Sequence, residues 1–194
     1  MRVTMETAID AETTDRFLEL YRAAFAPLEP LAAGRQSLTD DEFREEMSEE
    51  SVLKFVGWNR RDEPVAMAVV ATDLSVVPWI SPQFWAERYP DHAKRGAIWY
   101  FGALLVSPTV KGGPWMRRLT IAAMTECARE RVVAAFDCCR HNDTEVKLPQ
   151  MLADIGHSFV NLRTELVDVQ AYYGYEFDGF LEGQTVIDQD GATT

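Results

Sequence analysis

Along the chain the spacing of apolar residues changes character several times, and each change marks an element. In "DAETTDRFLELYRAAFAPLEP" Phe17, Leu20, Tyr21, Ala24 and Phe25 fall on one helical face, and Pro27 ends the pattern. "SLTDDEFREEMSEE" predicts a second helix. Thr39 and Glu42 stand at capping-box spacing, and acids crowd the first turn, where the helix dipole favours them. "SVLKFVGWNRRDEPVAMAVVATDL" predicts two strands around the polar turn "NRRDEP", and a short strand fits residues 2–8.

Residues 75–96, "SVVPWISPQFWAERYPDHAKRG", are broken by prolines and read as an insertion or flap with a short helix from Phe84 to Arg88. "AIWYFGALLVSP" is apolar on both faces, as a central strand is. Pro114 to Arg131 is the strongest helical stretch, with Pro114 suited to its first turn and an inner stripe of Trp115, Leu119, Ala122, Ala123 and Cys127. "VVAAFDCC" predicts another buried strand. "DTEVKLPQMLADIG" predicts a helix stopped by Gly156, with Pro149 delaying or kinking its start. "HSFVNLRTELVDVQAYYGYEF" predicts two more strands, and residues 184–194 form a polar tail.

This order predicts an α/β (α+β) fold: a mixed, mostly antiparallel central sheet of six to seven strands with helices on both faces, as a single domain over residues 1–183. The 194 residues, 47% of them hydrophobic, suffice for a full core. No apolar run reaches the roughly 18 residues of a membrane span, so no membrane partner is expected. The N-terminus lacks an apolar signal core, and the three cysteines, Cys127, Cys138 and Cys139, make a poor disulfide framework. Both fit a cytoplasmic protein. A formal net charge of -12 argues against nucleic acid and suits cationic small molecules such as amines, although solubility alone would account for it.

"LLVSPTVKGGPWMRRL", residues 104–119, joins the central strand to the strong helix through a glycine pair. With the order of elements, it resembles the GNAT (Gcn5-related N-acetyltransferase) superfamily over roughly residues 3 to 178. In that family a Val-x-Pro step is followed by an Arg/Gln-x-x-Gly-x-Gly/Ala loop, whose backbone N–H groups hold the pyrophosphate of acetyl-CoA. Val106, Ser107 and Pro108 match the first part, Lys111 falls at the Arg/Gln position and Gly112 matches a common family residue. Pro114 and Met116 depart from the two glycines. "NRRDEPVAMAVV" looks like the family's hairpin, and "MLADIGHSF" is similar to its Tyr-Glu-x-x-Gly-Phe stretch. Leu152 there replaces the tyrosine that protonates the leaving thiolate.

The resemblance implies an N-acyltransferase moving an acetyl or other acyl group from acyl-CoA to the amine of a small molecule. It implies donor binding by Leu104, Leu105, Val106, Lys111, Gly112, Gly113, Trp115, Met116, Arg117 and Arg118. A helix N-terminus supports this physically, because its free N–H groups and partial positive charge attract an anion. Pro114 removes one donor, and Lys111, Arg117 and Arg118 supply point charges. The altered loop keeps two alternatives open: a catalytically silent ligand- or protein-binding relative, or one using a non-CoA acyl donor.

For acid or base, the candidates are Tyr172, Tyr173 and Tyr175 on the last strand and His141 at the end of "VVAAFDCCRHN". Aromatic packing and a surface strand cap are the plainer uses of the same residues. Asp137, Cys138, Cys139 and His141 do not converge from alternating positions of a strand, so no metal is expected. Trp79, Phe84, Trp85 and Tyr89 either wall a substrate pocket, cover the sheet or make a homodimer contact.

Overall fold

A computed structural model of the chain describes residues 1–110 and 113–178. These fall into two units, Met1–Thr164 and the residues from Glu165 onward, the second described as far as residue 178.

The first unit holds a five-stranded sheet in the order β1 (Arg2–Glu6), β2 (Val52–Trp58), β3 (Pro64–Ala71), β4 (Ile98–Val106) and β5 (Val133–Ala135). The first three pairings are antiparallel and β4–β5 is parallel, so the sheet is mixed and mostly antiparallel as expected. Among the described residues it has five strands, not six or seven. The missing pair was expected in residues 157–177, where no strand is assigned. Alternating apolar residues suit a strand only when a neighbouring strand accepts their backbone, and none pairs there among the described residues.

Helix α1 (Ala11–Phe25) starts at Asp10, whose side chain accepts from the N–H of Thr13 at 2.9 Å. It turns Phe17, Leu18 and Tyr21 into the core. Helix α2 (Asp40–Ser48) has the expected capping box. The Glu42 N–H donates to Thr39 Oγ1 at 3.3 Å, and the Thr39 N–H donates to Glu42 Oε2 at 2.7 Å. The β2–β3 turn is tied by Asn59 Oδ1, which accepts from the N–H groups of Arg61 and Glu63.

Helices α1 and α2 lie on one face of the sheet over Val52, Val56, Met67, Val69, Tyr100 and Leu105. The segment 75–96 carries α3 (Pro82–Arg88) and α4 (Pro90–Ala93). Its Val77 is buried in this first core, and Ile80, Trp85 and Tyr89 pack against it. Its aromatic residues therefore serve in part to cover the sheet, with Trp79 and Phe84 left exposed.

The opposite face is covered by α5 (Trp115–Glu130), whose Trp115, Leu119, Ala123 and Cys127 pack on Phe55, Ala66, Ala68, Val70 and Trp99. This is the inner stripe read from the sequence, without Ala122, which is only half-buried. Pro114 is the N-cap rather than the first helical residue. At the far end Arg131 takes a left-handed conformation, and Arg95 donates to the Glu130 carbonyl at 2.9 Å and to that of Arg131. A cation there suits the negative end of the helix dipole.

Two further expectations need correction. Strand β5 is only three residues long, so Asp137, Cys139 and His141 do not alternate on a strand. The chain leaves the sheet after Ala135, and Cys139 caps the short helix α6 (Arg140–Thr144) that contains His141. Apolar character marks this segment as buried but does not say where its hydrogen-bonded partner ends. Gly156 is not the stop of α7 (Leu148–His157) but lies within its last turn. A Cβ there would stand 2.7 Å from Leu162 Cδ2 and 3.1 Å from Met124 Sδ, so the glycine permits a close approach of chain segments. Pro149 sits in the first turn, which accounts for the delayed start of this helix. Among the described residues, no helix is long and apolar enough to cross a membrane.

Candidate functional site

Strand β4 has β5 beside it for only its first three residues, and Tyr100 alone is paired on both edges, with Ala71 and Ala135. Ile98, Trp99 and Tyr100 face Val133, Ala134 and Ala135, and then β5 ends while β4 continues to Val106. Among the described residues, the β4 edge from Phe101 to Val106 has no strand beside it. Alternate N–H and C=O groups of such an edge point sideways, ready to pair with an extended ligand. Leu104, Leu105 and Val106 lie on this stretch.

The fork where β4 and β5 part is tied by side chains. The Tyr100 hydroxyl accepts from Trp79 Nε1 at 2.9 Å and donates to Asp137 Oδ1. Partial desolvation raises the Asp137 carboxyl above its ordinary range, against the stabilising hydrogen bonds it accepts.

At the other end of β4, the Ser107 N–H donates to the Val65 carbonyl at 2.8 Å, and a short 3-10 turn, Pro108–Val110, follows. The Gly113 N–H closes on the Val110 carbonyl at 3.2 Å, where a Cβ on Gly113 would stand 3.1 Å from that oxygen. Helix α5 then begins with no side-chain cap. The first intrahelical bond runs from the Arg118 N–H to the Pro114 carbonyl at 2.9 Å. The N–H groups of Trp115, Met116 and Arg117 precede it and have no helical acceptor. The Trp115 side chain is 1% exposed and sits in the core under α5. Arg117 and Arg118 are exposed, and Arg118 lies 6.0 Å over the Trp115 ring. Lys111 and Gly112 lie outside the described residues.

A feature that the sequence did not signal stands midway along β4. Val69 pairs with Ala103 and Val70 with Phe101, so Gly102 is an extra residue in a bulge. A Cβ on Gly102 would lie 3.4 Å from Oε1 of Glu46, which reaches over from α2. The other carboxylate oxygen, Oε2, is buried and has no hydrogen-bond partner. Burial pushes the Glu46 carboxyl up to about 7, partly offset by Lys54. Lys54 is itself fully buried on β2, with Nζ donating to the carbonyls of Thr7 at 2.9 Å and Glu49 at 2.7 Å. In sequence Glu46 is one of a run of surface-like acids. Its one signal is a position three residues after Phe43 and beside Met47, both buried.

His141 is in α6, after the fork. Tyr172, Tyr173 and Tyr175 belong to the second unit, where no strand orders them into faces. Burial pushes the Cys127 thiol up to about 12 and Cys138 up to about 11, which leaves neither as a ready thiolate. Among the described residues, no group of three His, Cys, Asp or Glu side chains is placed to hold a metal.

No protein-family model matches the sequence, and no curated protein matches it by sequence. Solved structures do match in shape. An aminoglycoside 6'-N-acetyltransferase from Acinetobacter haemolyticus is 13% identical, with a TM-score of 0.52 over 92% of this chain and 100% of that one. An aminoglycoside acetyltransferase from an uncultured soil metagenomic sample, solved with sisomicin, is 11% identical, with a TM-score of 0.51 over 90% and 97%. A ribosomal-protein-alanine N-acetyltransferase from Brucella melitensis is 11% identical, with a TM-score of 0.50 over 89% and 100%. At these identities the likeness is one of fold, and the chain has the fold of the GNAT acetyltransferases.

Proposed function

We propose that the protein is an N-acyltransferase that moves an acetyl or other acyl group from acyl-CoA to the amine of a small molecule. The observation that carries this reading is the end of β4–β5 pairing at Tyr100, while β4 runs on to the uncapped start of α5. An extended pantetheine-like arm can add to the bare edge of β4 as a further strand would, through backbone hydrogen bonds. A pyrophosphate then falls at the N–H groups of Trp115, Met116 and Arg117, with the exposed Arg117 and Arg118 as nearby cations; Lys111, four residues before Trp115 in sequence, is a further candidate. Backbone N–H groups near Leu104 to Val106 would receive the thioester oxygen as it gains negative charge. Because Trp115 is turned into the core, it does not obstruct the loop. Amine acceptors also suit the acidic chain, with its formal net charge of -12.

Calorimetric titration with acetyl-CoA and with CoA, at low and moderate salt, tests the reading. Micromolar binding that weakens with salt is expected, and Lys111→Glu should weaken it clearly. Absence of binding to either compound would refute the acyl-CoA donor and favour a non-CoA donor or a silent binding protein.

A further inference from the structure

Glu46 is the one titratable side chain near β4 that is both largely withdrawn from water and left with an unsatisfied oxygen among the described residues. Such an oxygen costs roughly 1–3 kcal/mol or more when it is charged and unpaired, so its persistence calls for a partner. Lys54 does not fill that role directly, since its ammonium is spent on the Thr7 and Glu49 carbonyls. Tyr21, the other ionisable group whose field reaches Glu46, points its hydroxyl at the Leu38 N–H at 2.8 Å. Burial pushes the Tyr21 hydroxyl up to about 12, so it stays neutral.

The space in front of Glu46 is set by Gly102. That residue is exposed, has no Cβ, and is bulged out of the β3–β4 ladder. A Cβ there would stand in van der Waals contact with Glu46 Oε1, in the space next to the carboxylate. The glycine thus leaves no side chain between the Glu46 carboxylate and the strand that begins the bare edge.

We infer that the acceptor amine docks where Gly102 leaves Glu46 uncovered by a side chain, and that Glu46 binds the substrate ammonium and takes its proton. The inference rests on the acyltransferase reading and adds the group that activates the acceptor. In the step, R–NH3+ gives one proton to the Glu46 carboxylate. The nitrogen lone pair then attacks the thioester carbon lying along β4. The C–N bond forms and the C–S bond breaks, with the electron pair leaving on sulfur. A second nitrogen proton passes to the thiolate to give the CoA thiol and the amide, and Glu46 returns its proton to solvent. The raised carboxyl pKa suits this task. It places the base near neutral pH, where it accepts a proton from an amine and releases it again.

The test compares wild type, Glu46→Gln and Gly102→Ala, with acetyl-CoA as donor and tyramine, spermidine and sisomicin as acceptors. Acetyl-CoA binding and thermal unfolding are followed in parallel. In wild type, kcat/KM should fall as pH drops below about 7, because the carboxyl is then protonated. Glu46→Gln should keep donor affinity, lose at least about 100-fold in kcat/KM at pH 8, and lose that pH limb. Gly102→Ala has no positive φ to violate, so it should fold and bind donor but transfer poorly. Wild-type activity with Glu46→Gln within threefold and an unchanged pH profile would overturn the role of Glu46 and leave the acyltransferase reading standing. If Glu46→Gln does not fold, full transfer by Gly102→Ala overturns the site. Wild type that binds acetyl-CoA but acetylates none of the three amines overturns the amine site. Wild type that binds no donor overturns both.

Discussion

Gly57→Ala is a small change with a large expected effect, because of where its methyl group would go. On β2, the added Cβ would stand 2.8 Å from Trp115 Cε3, 2.9 Å from Cζ3 and 3.3 Å from the Ala66 Cβ. Favourable carbon contacts lie at about 3.5–4.0 Å, so the indole must retreat by roughly 0.7 Å. It has nowhere to go without moving its neighbours, being 1% exposed among Phe55, Ala66 and Leu119. Overpacking of this kind costs typically about 1–3 kcal/mol. Replacing a strand glycine returns roughly 0.5–1 kcal/mol through the unfolded chain. Those ranges leave a net loss of about 0–2.5 kcal/mol, and the tight burial of the indole places the expectation in its upper part, about 1–2 kcal/mol. For a chain of this size that is roughly 2–8 °C in Tm, or a clear fall in the urea midpoint with unchanged slope.

The cause is isolated by Trp115→Leu, whose shorter side chain ends before the clashing ring atoms. Alone it should be costly, by about 2–5 kcal/mol for lost burial. Combined with Gly57→Ala it should cost at least about 1 kcal/mol less than the sum, because the methyl group then enters space already vacated. Trp115 is also the first residue of α5, so single Gly57→Ala should weaken acetyl-CoA binding if the start of that helix holds the pyrophosphate. Additivity within about 0.5 kcal/mol, or an unchanged midpoint for Gly57→Ala, would refute the packing argument.

Gly156→Ala presents the opposite case: its Cβ meets the flexible ends of Leu162 and Met124, and alanine gains about 1 kcal/mol of helix propensity, so stability should change by less than about 1 kcal/mol. A loss above about 2 kcal/mol in a urea titration would show that the chain around Leu162 cannot yield. Lys54→Met leaves the Thr7 and Glu49 carbonyls without their buried donor and should cost about 2–4 kcal/mol at pH 7. Burial pulls the Lys54 pKa down to about 8, from 10.5 when solvated, so the native state favours the neutral amine. Wild type should thus lose stability from this group as pH falls from about 10.5 through 8, whereas the Met variant should not. The deficit of Lys54→Met, measured by denaturant midpoints, should widen with rising pH, and a constant deficit would contradict a strained buried ammonium.

The parts of this fold that were legible in the sequence are those where one local pattern decides the outcome. The stripe of Phe17 and Tyr21, the capping box of Thr39 and Glu42, the Asn59 turn and the apolar run of β4 each carry their own signal. What was not legible depends on a partner. Strand β5 ends after Ala135 although its apolar run continues, and the alternating residues after 157 carry no strand among the described residues. Trp115 was read both as an inner-stripe residue and as a donor contact, and burial resolves its side chain into the core while leaving its N–H at the turn.

The candidate site follows the same logic. Its constituents sit where regular structure is interrupted: a ladder that stops at Tyr100, a bulge at Gly102, and a helix that starts on a proline without a capping side chain. Each interruption leaves backbone or carboxylate groups unpaired, and an unpaired polar group is what a ligand can satisfy. Glu46 shows the difference most sharply. In sequence it is one acid among Glu45, Glu46, Glu49 and Glu50, indistinguishable from a solvated helix face. Only the register of α2, which points Phe43 and Met47 inward, and the glycine opposite it on β4 turn that acid toward the sheet. The chemistry of the acceptor side therefore lies in a meeting of two distant segments, and neither segment carries a motif for it.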